Sequence, residues 1–206
     1  TISGVNDAPT SLPASVSTDE DVSLEIILTG EAPEGSKLSY SINSVPSNGV
    51  VVLGGLAATY TPHKNFNGSD SFTFRANDGE LTSDPATISI AVSAVNDPPT
   101  VAEVADQVIA EDALSQSIPV SVTPGGGDDE AAQTVTLTAA SSDPGLISDP
   151  TIENGALSFA PLLDASGTFE ITITADDGQA ANSTASTTFS IEVTPVNDPP
   201  TLADID

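Results

Sequence analysis

A hexapeptide occurs three times in this chain, and its spacing limits what the chain can fold into. Val5-Asn6-Asp7-Ala8-Pro9-Thr10 returns as Val95-Asn96-Asp97-Pro98-Pro99-Thr100 and again as Val196-Asn197-Asp198-Pro199-Pro200-Thr201. The intervals are 90 and 101 residues, the size of a small β-sandwich. The interiors repeat as well. Glu20-Asp21 matches Glu111-Asp112 at an offset of 91, and Tyr60-Thr61-Pro62 matches Phe159-Ala160-Pro161 at an offset of 99. That second offset holds through Gly68 and Gly167, Phe72 and Ile171, and Asp78-Gly79 and Asp177-Gly178. Two homologous domains therefore lie in tandem, residues 1–97 and 98–206, with an eight-residue insertion in the second. The ends read as pieces of neighbouring repeats, which implies a longer array.

Within each repeat, apolar residues alternate with Ser and Thr. The sets are Val22, Leu24, Ile26, Leu28; Leu38, Tyr40, Ile42; Phe72, Phe74, Ala76; and Ala86, Ile88, Ile90, Val92. The second repeat offers Ile118, Val120, Val122; Val135, Leu137, Ala139; Ile171, Ile173, Ala175; and Phe189, Ile191, Val193. A period of two puts one face of each strand in a core and leaves the other wet. The expectation is all-β: two tandem seven-stranded Greek-key β-sandwiches of antiparallel sheets, arranged end to end.

Three Lys and Arg stand against 30 Asp and Glu, a net charge of −27. That balance repels phosphate backbones and anionic bilayers, which excludes nucleic acid and membrane insertion as partners. With no cysteine and one histidine, thiol catalysis, disulfides and zinc sites have no ligands. No apolar run approaches the roughly 18 residues of a spanning helix, and no signal-peptide pattern opens the sequence. His63 has no counterpart in the second repeat, where Leu162 stands, and no nucleophile pattern accompanies it. Gly125-Gly126-Gly127 lacks the Lys-Ser/Thr of a phosphate loop and reads as a flexible tip. The eight aromatic residues fall in core phase, leaving no sugar platform, so the chain is expected not to be an enzyme.

In a seven-stranded sandwich, alternate loops sit at opposite poles. Glu20 and Asp70 then fall at the exit pole of the first domain, Asn96 and Asp97 in the linker, and Asp128, Asp129, Asp176 and Asp177 at the entry pole of the second. Oxygen ligands from several segments, without a basic partner, suit Ca²⁺, which takes 6–8 hard oxygens. Asp78 and Asp177 also read as plain Asp-Gly turns.

The VND(A/P)PT linker, the Glu-Asp pair after it, Asn67-Gly68-Ser69-Asp70-Ser71-Phe72 and the Asp-Gly before the last strand resemble bacterial cadherin-like tandem repeats. Such repeats occur in large secreted adhesins exported alongside RTX repeats. The second domain, through Ser141-Ser142-Asp143-Pro144, Leu157-Ser158-Phe159-Ala160-Pro161 and Asp176-Asp177-Gly178, resembles an Ig-like subtype of such arrays. The resemblance implies Ca²⁺ at the linker, held by Glu20, Asn96, Asp97 and Asp177. By repetition it implies Asn6, Asp7 and Asp78 upstream, and Glu111, Asn197 and Asp198 downstream. Two departures stand out. Phe169 replaces Asp70 in the second repeat, with Glu170 or Asp164 as substitutes, and Gly30-Glu31-Ala32-Pro33-Glu34-Gly35 replaces the usual Asp-x-Asp loop in the first.

The function expected from the resemblance is a calcium-rigidified extender of a large adhesin or biofilm protein, extracellular, on a bacterial surface or secreted. Its partners would be neighbouring repeats, with host-surface or matrix glycans or proteins reached through other modules. The alternative is a calcium-dependent carbohydrate- or protein-binding module of a secreted polysaccharide-degrading system.

Overall fold

The computed structural model describes residues 5–199. The expectation that the chain ends are pieces of neighbouring repeats concerns residues almost wholly outside these. The chain divides into two compact units, one of residues 1–95 with 127–129, the other of residues 96–126 with 130–206. Among the described residues every element is a strand, and no helix is long and apolar enough to cross a membrane.

The first unit contains β1 (Thr10–Ser11), β2 (Ala14–Asp19), β3 (Leu24–Ile27), β4 (Gly30–Glu31), β5 (Ser39–Ser44), β6 (Gly49–Gly54), β7 (Ala57–Pro62), β8 (Gly68–Asn77) and β9 (Ala86–Ser93). The second contains β10 (Thr100–Val101), β11 (Gln107–Ala110), β12 (Gln116–Pro119), β13 (Val122–Thr123), β14 (Thr136–Ser141), β15 (Thr151–Glu153), β16 (Ala156–Phe159), β17 (Gly167–Asp176) and β18 (Thr184–Thr194). The nine segments of each unit are seven strands, of which the first two are broken. β1 and β2 form one strand interrupted at Leu12-Pro13, where proline cannot donate to a ladder. β3 and β4 form the second, and their halves pair in different sheets.

Each unit packs a four-stranded sheet on a three-stranded one. The orders are β2-β9-β8-β5 and β3-β7-β6 in the first unit, and β11-β18-β17-β14 and β12-β16-β15 in the second. The small β1-β4 and β10-β13 pairs complete them. One expectation needs correction, since the sheets are not wholly antiparallel. β2 runs parallel to β9 from Ala14↔Ile88 to Asp19↔Ser93, and β11 runs parallel to β18. Breaking the first strand lets its second half cross to the sheet of the last strand and run alongside it.

The alternating residues fill the cores. Ile26, Leu28, Tyr60, Phe72, Phe74, Ile88 and Ile90 are buried in the first unit, with Tyr40 edge-on to Phe74 at 5.6 Å. Leu157, Phe159, Phe169, Ile171, Ile173, Phe189 and Ile191 are buried in the second. Each such side chain contributes roughly 1.5–3 kcal/mol on leaving water. Val22 departs from its set. It lies in the turn before β3 and is 52% exposed, because the ladder starts only at Leu24.

Candidate metal centre

The linker residues are held by side chains of the unit they lead into, and the two units do this alike. In the first, Asn6 Nδ2 donates to Asp78 Oδ2 at 3.0 Å, and Asp7 N donates to Glu34 Oε1 at 3.3 Å. In the second, Asn96 Nδ2 donates to Asp177 Oδ2 at 3.0 Å, and Asp97 N donates to Glu130 Oε1. The exits match too. The Glu20 carboxylate accepts from Val95 N in the first unit, and the Glu111 carboxylate accepts from Val196 N in the second. Both glutamates are buried, at 6% and 7% exposure.

The entry end of the second unit is lined by oxygen. Asn96 Nδ2 faces Asp177 Oδ2, the carbonyl oxygens of Ala181 and Asn182 and, more distantly, that of Asp97. Four acceptors thus share two N–H groups. Gln133 Nε2 donates to Asn96 Oδ1 at 2.8 Å, and Asn182 Nδ2 donates to the Asn96 carbonyl. Glu130 is 2% exposed, and its Oε2 is buried without a hydrogen-bond partner, as is Gln133 Oε1. A Cβ on Gly125 would collide with the Asp97 carbonyl oxygen and Glu130 Oε2, so the chain comes close here only because glycine stands there. A buried carboxylate oxygen with no donor is costly unless a cation faces it. The donor set of Asp177, Glu130, Asn96, Gln133 and backbone carbonyls consists of the hard oxygens that Ca²⁺ takes. In donor chemistry these residues fit the ion, which would take the place that Asn96 Nδ2 holds among the Asp177 carboxylate and the carbonyls of Ala181 and Asn182.

The exit end of the second unit gathers acids. Asp198 has its pKa raised, first by desolvation and then by the charges of Asp112, Asp164 and Glu111, with a hydrogen bond to Asp164. Asp164 adopts a φ of 56°, and Asn65, its counterpart in the first unit, a φ of 58°. Asn197 is exposed, with Nδ2 3.3 Å from the Asp198 carbonyl oxygen. Among the described residues no three carboxylate or imidazole side chains converge on a single point.

Several expected ligands have other work. Asp70 is buried, and its carboxylate accepts from Ser47 N, Asn48 N, Ser71 N and the Tyr60 hydroxyl at 2.8–3.0 Å. Burial alone would raise its pKa, but these donors hold it below the usual value. Tyr60 is pushed upward by burial and by the Asp70 carboxylate. Asp70 thus pins the loop before β6 to the core. Asp78 takes Glu80 N and Leu81 N on Oδ1 besides Asn6 on Oδ2, and these bonds lower its pKa. It is a turn former and a linker clasp at once. Asp176 closes an Asp-Gly turn through Gly178 N, and Asp177 accepts from Gln179 N on Oδ1. Asp128 and Asp129 are exposed, in the segment that groups with the first unit. Glu130 and Gln133 were not among the residues singled out from sequence.

Residues 6–91 match the Bacterial Ig domain family. Human CDH23 EC21-23 aligns over 91% of this chain and 70% of its own, at 16% identity and a TM-score of 0.52, a likeness of fold. Integrin beta-like protein A of Dictyostelium discoideum is 28% identical over 127 residues, 53% of this chain. The chain spans 7% of that relative's length. An endo-fucoidan hydrolase of glycoside hydrolase family 107 aligns over 92% of this chain and 29% of its own, at 18% identity and a TM-score of 0.36. The chain is built of Ig-like/cadherin-like β-sandwich repeats.

Proposed function

We propose that this chain is a calcium-stiffened extender segment of a large extracellular, adhesion-related bacterial protein, non-enzymatic itself. The observation that carries the reading is Glu130 Oε2, a buried carboxylate oxygen without a donor, beside the linker Asn96 and Asp97. A cation there would be held by Glu130, Asp177, Asn96 and neighbouring carbonyls, and would fix the linker on the second unit. Asp198 with Glu111, Asp112 and Asp164 forms a second acid-rich end whose mutual repulsion a cation would relieve. Extracellular placement is supported by the Ig-like and cadherin-like class, and a role in adhesion by the name of the integrin beta-like relative.

The test is isothermal titration of chelated protein with Ca²⁺. Binding at about 10⁻⁴–10⁻³ M or tighter is expected, as for extracellular modules. No heat and no thermal shift at 10 mM Ca²⁺ would refute the reading.

A further inference from the structure

Strand β6 is the edge of a three-stranded sheet, and among the described residues it pairs only with β7. His63 N donates to the Asn48 carbonyl, which sets the phase of that ladder. Residues 48, 50, 52 and 54 bond to β7, so the N–H and C=O groups of Gly49, Val51 and Leu53 point off the edge. The alternation also turns Val50 and Val52 outward, at 55% and 63% exposure. Ile27 of β3 and Leu56 of the β6–β7 turn are exposed too, at 61% and 54%.

Sheet edges are ordinarily blunted by charge, proline, bulges or shortness. Others here are. β5 shifts register between Ile42 and Ser44. β15, which holds the place of β6 in the second unit, is three residues long, carries Glu153 and follows Pro150. β6 has six residues in unbroken register, with neither charge nor proline.

Charge decides what such an edge accepts. Between Glu34 and Asp70 there is no acidic residue, in a chain that holds 30. Asp70 is buried, and all three Lys and Arg, at Lys37, Lys64 and Arg75, lie in or next to this stretch. A second copy approaching β6 with its own β6 meets no carboxylate from this segment, and Glu25 of β3, across Thr59 from Val52, is set two strands back from the edge.

We propose that β6 is a self-association edge, through which two copies pair antiparallel about Val51. The outward groups fix the register: Val51 opposes Val51 of the second copy, and Gly49 opposes Leu53. Val50 then faces Val52 across the two-fold in non-hydrogen-bonded pairs, closing the apolar surface. Six residues give a single edge about 20 Å long, far less contact than the roughly 20–30 residues a side of a standard stable interface, so the contact is reversible and concentration-dependent.

Sedimentation of the full chain should show a mass rising from monomer toward dimer with concentration, more readily in high salt, which screens the net negative charge. Val52→Glu should weaken association at least tenfold. Register is tested by Val50→Cys and Val52→Cys, both at exposed positions of a chain without cysteine. Under mild oxidation an equimolar mixture should cross-link, because directly opposed residues lie about 4.5 Å apart at Cα. Either variant alone should not, because its own copies stand roughly 7–8 Å apart on the diagonal. A wild-type chain monomeric at millimolar concentration, no cross-link in the mixture, or equal cross-linking by each variant alone would overturn the proposal.

Discussion

Asn96 reaches across 81 residues of sequence to place its amide nitrogen 3.0 Å from Asp177 Oδ2, and Asn6 repeats that bond with Asp78 at 3.0 Å. The linker is thus joined to the unit it enters by side chains of that unit, and a cation among them would tighten the same attachment.

Calcium should raise the melting temperature, and chelation should lower it. A site filled to 100 times its dissociation constant adds about 2.7 kcal/mol. Calorimetry in 10 mM Ca²⁺ and in EDTA measures this, and superimposable curves would count against the proposed function.

Glu130→Gln separates a ligand from a structural acceptor. Glutamine still offers an oxygen to Asp97 N but carries no charge. In EDTA the variant should therefore be at least as stable as the wild type, because no buried charge remains to be compensated, while the calcium-induced shift falls by more than half. Equal calcium shifts in both proteins would remove Glu130 from the site.

Asp70 gives a pH signature. Its folded pKa lies below the unfolded value of 3.8. Its stabilisation is therefore complete above that value and is lost as pH falls through the lower folded pKa. Asp70→Asn puts an amide among four donors and should cost roughly 1.5–3 kcal/mol at pH 7. The gap between wild type and variant should close in strong acid. Urea titrations at pH 7 and pH 2 read both ends, and a constant gap would contradict the account.

Asp198 has the opposite sign. Its folded pKa is raised, so protonation favours the folded form, and that contribution fades as pH rises through the folded value. Asp112→Asn removes a like charge and should bring Asp198 back toward the ordinary carboxylate range. Side-chain carboxyl NMR titration follows this directly, and an unmoved midpoint would show that Asp112 does not act on it.

The strands, the tandem division and the seven-strand plan were legible because each rests on a period that one sequence displays. Repetition singled out Asn6, Asn96, Asp78, Asp177, Glu20 and Glu111 as metal ligands, and the hydrogen bonds that join them to the linkers are what folding adds. Glu130 was not singled out. It follows Asp128-Asp129 within the interval where the offset changes from 91 to 99, so no aligned partner drew attention to it. Its counterpart by geometry is Glu34, which also accepts from a linker N–H. The donors of Asp70 were hidden for a different reason. Its place at the start of β8 is what sequence reveals, while the four donors around it come from segments that only folding brings there. The parallel pairing of β2 with β9 left no mark, because an alternating strand reads the same in either direction.

That parallel pairing governs how each unit carries tension. When neighbouring strands at the start and end of a unit run the same way, pulling the two chain ends apart slides β2 against β9, and β11 against β18. The rungs of the ladder then share the load and must break together, whereas an antiparallel pair pulled from one end opens bond by bond. The Glu20 bond to Val95 N and the Glu111 bond to Val196 N sit just past these ladders and add to the resistance. A unit wired in this way resists being drawn out by its ends more than one whose terminal strands run opposite ways.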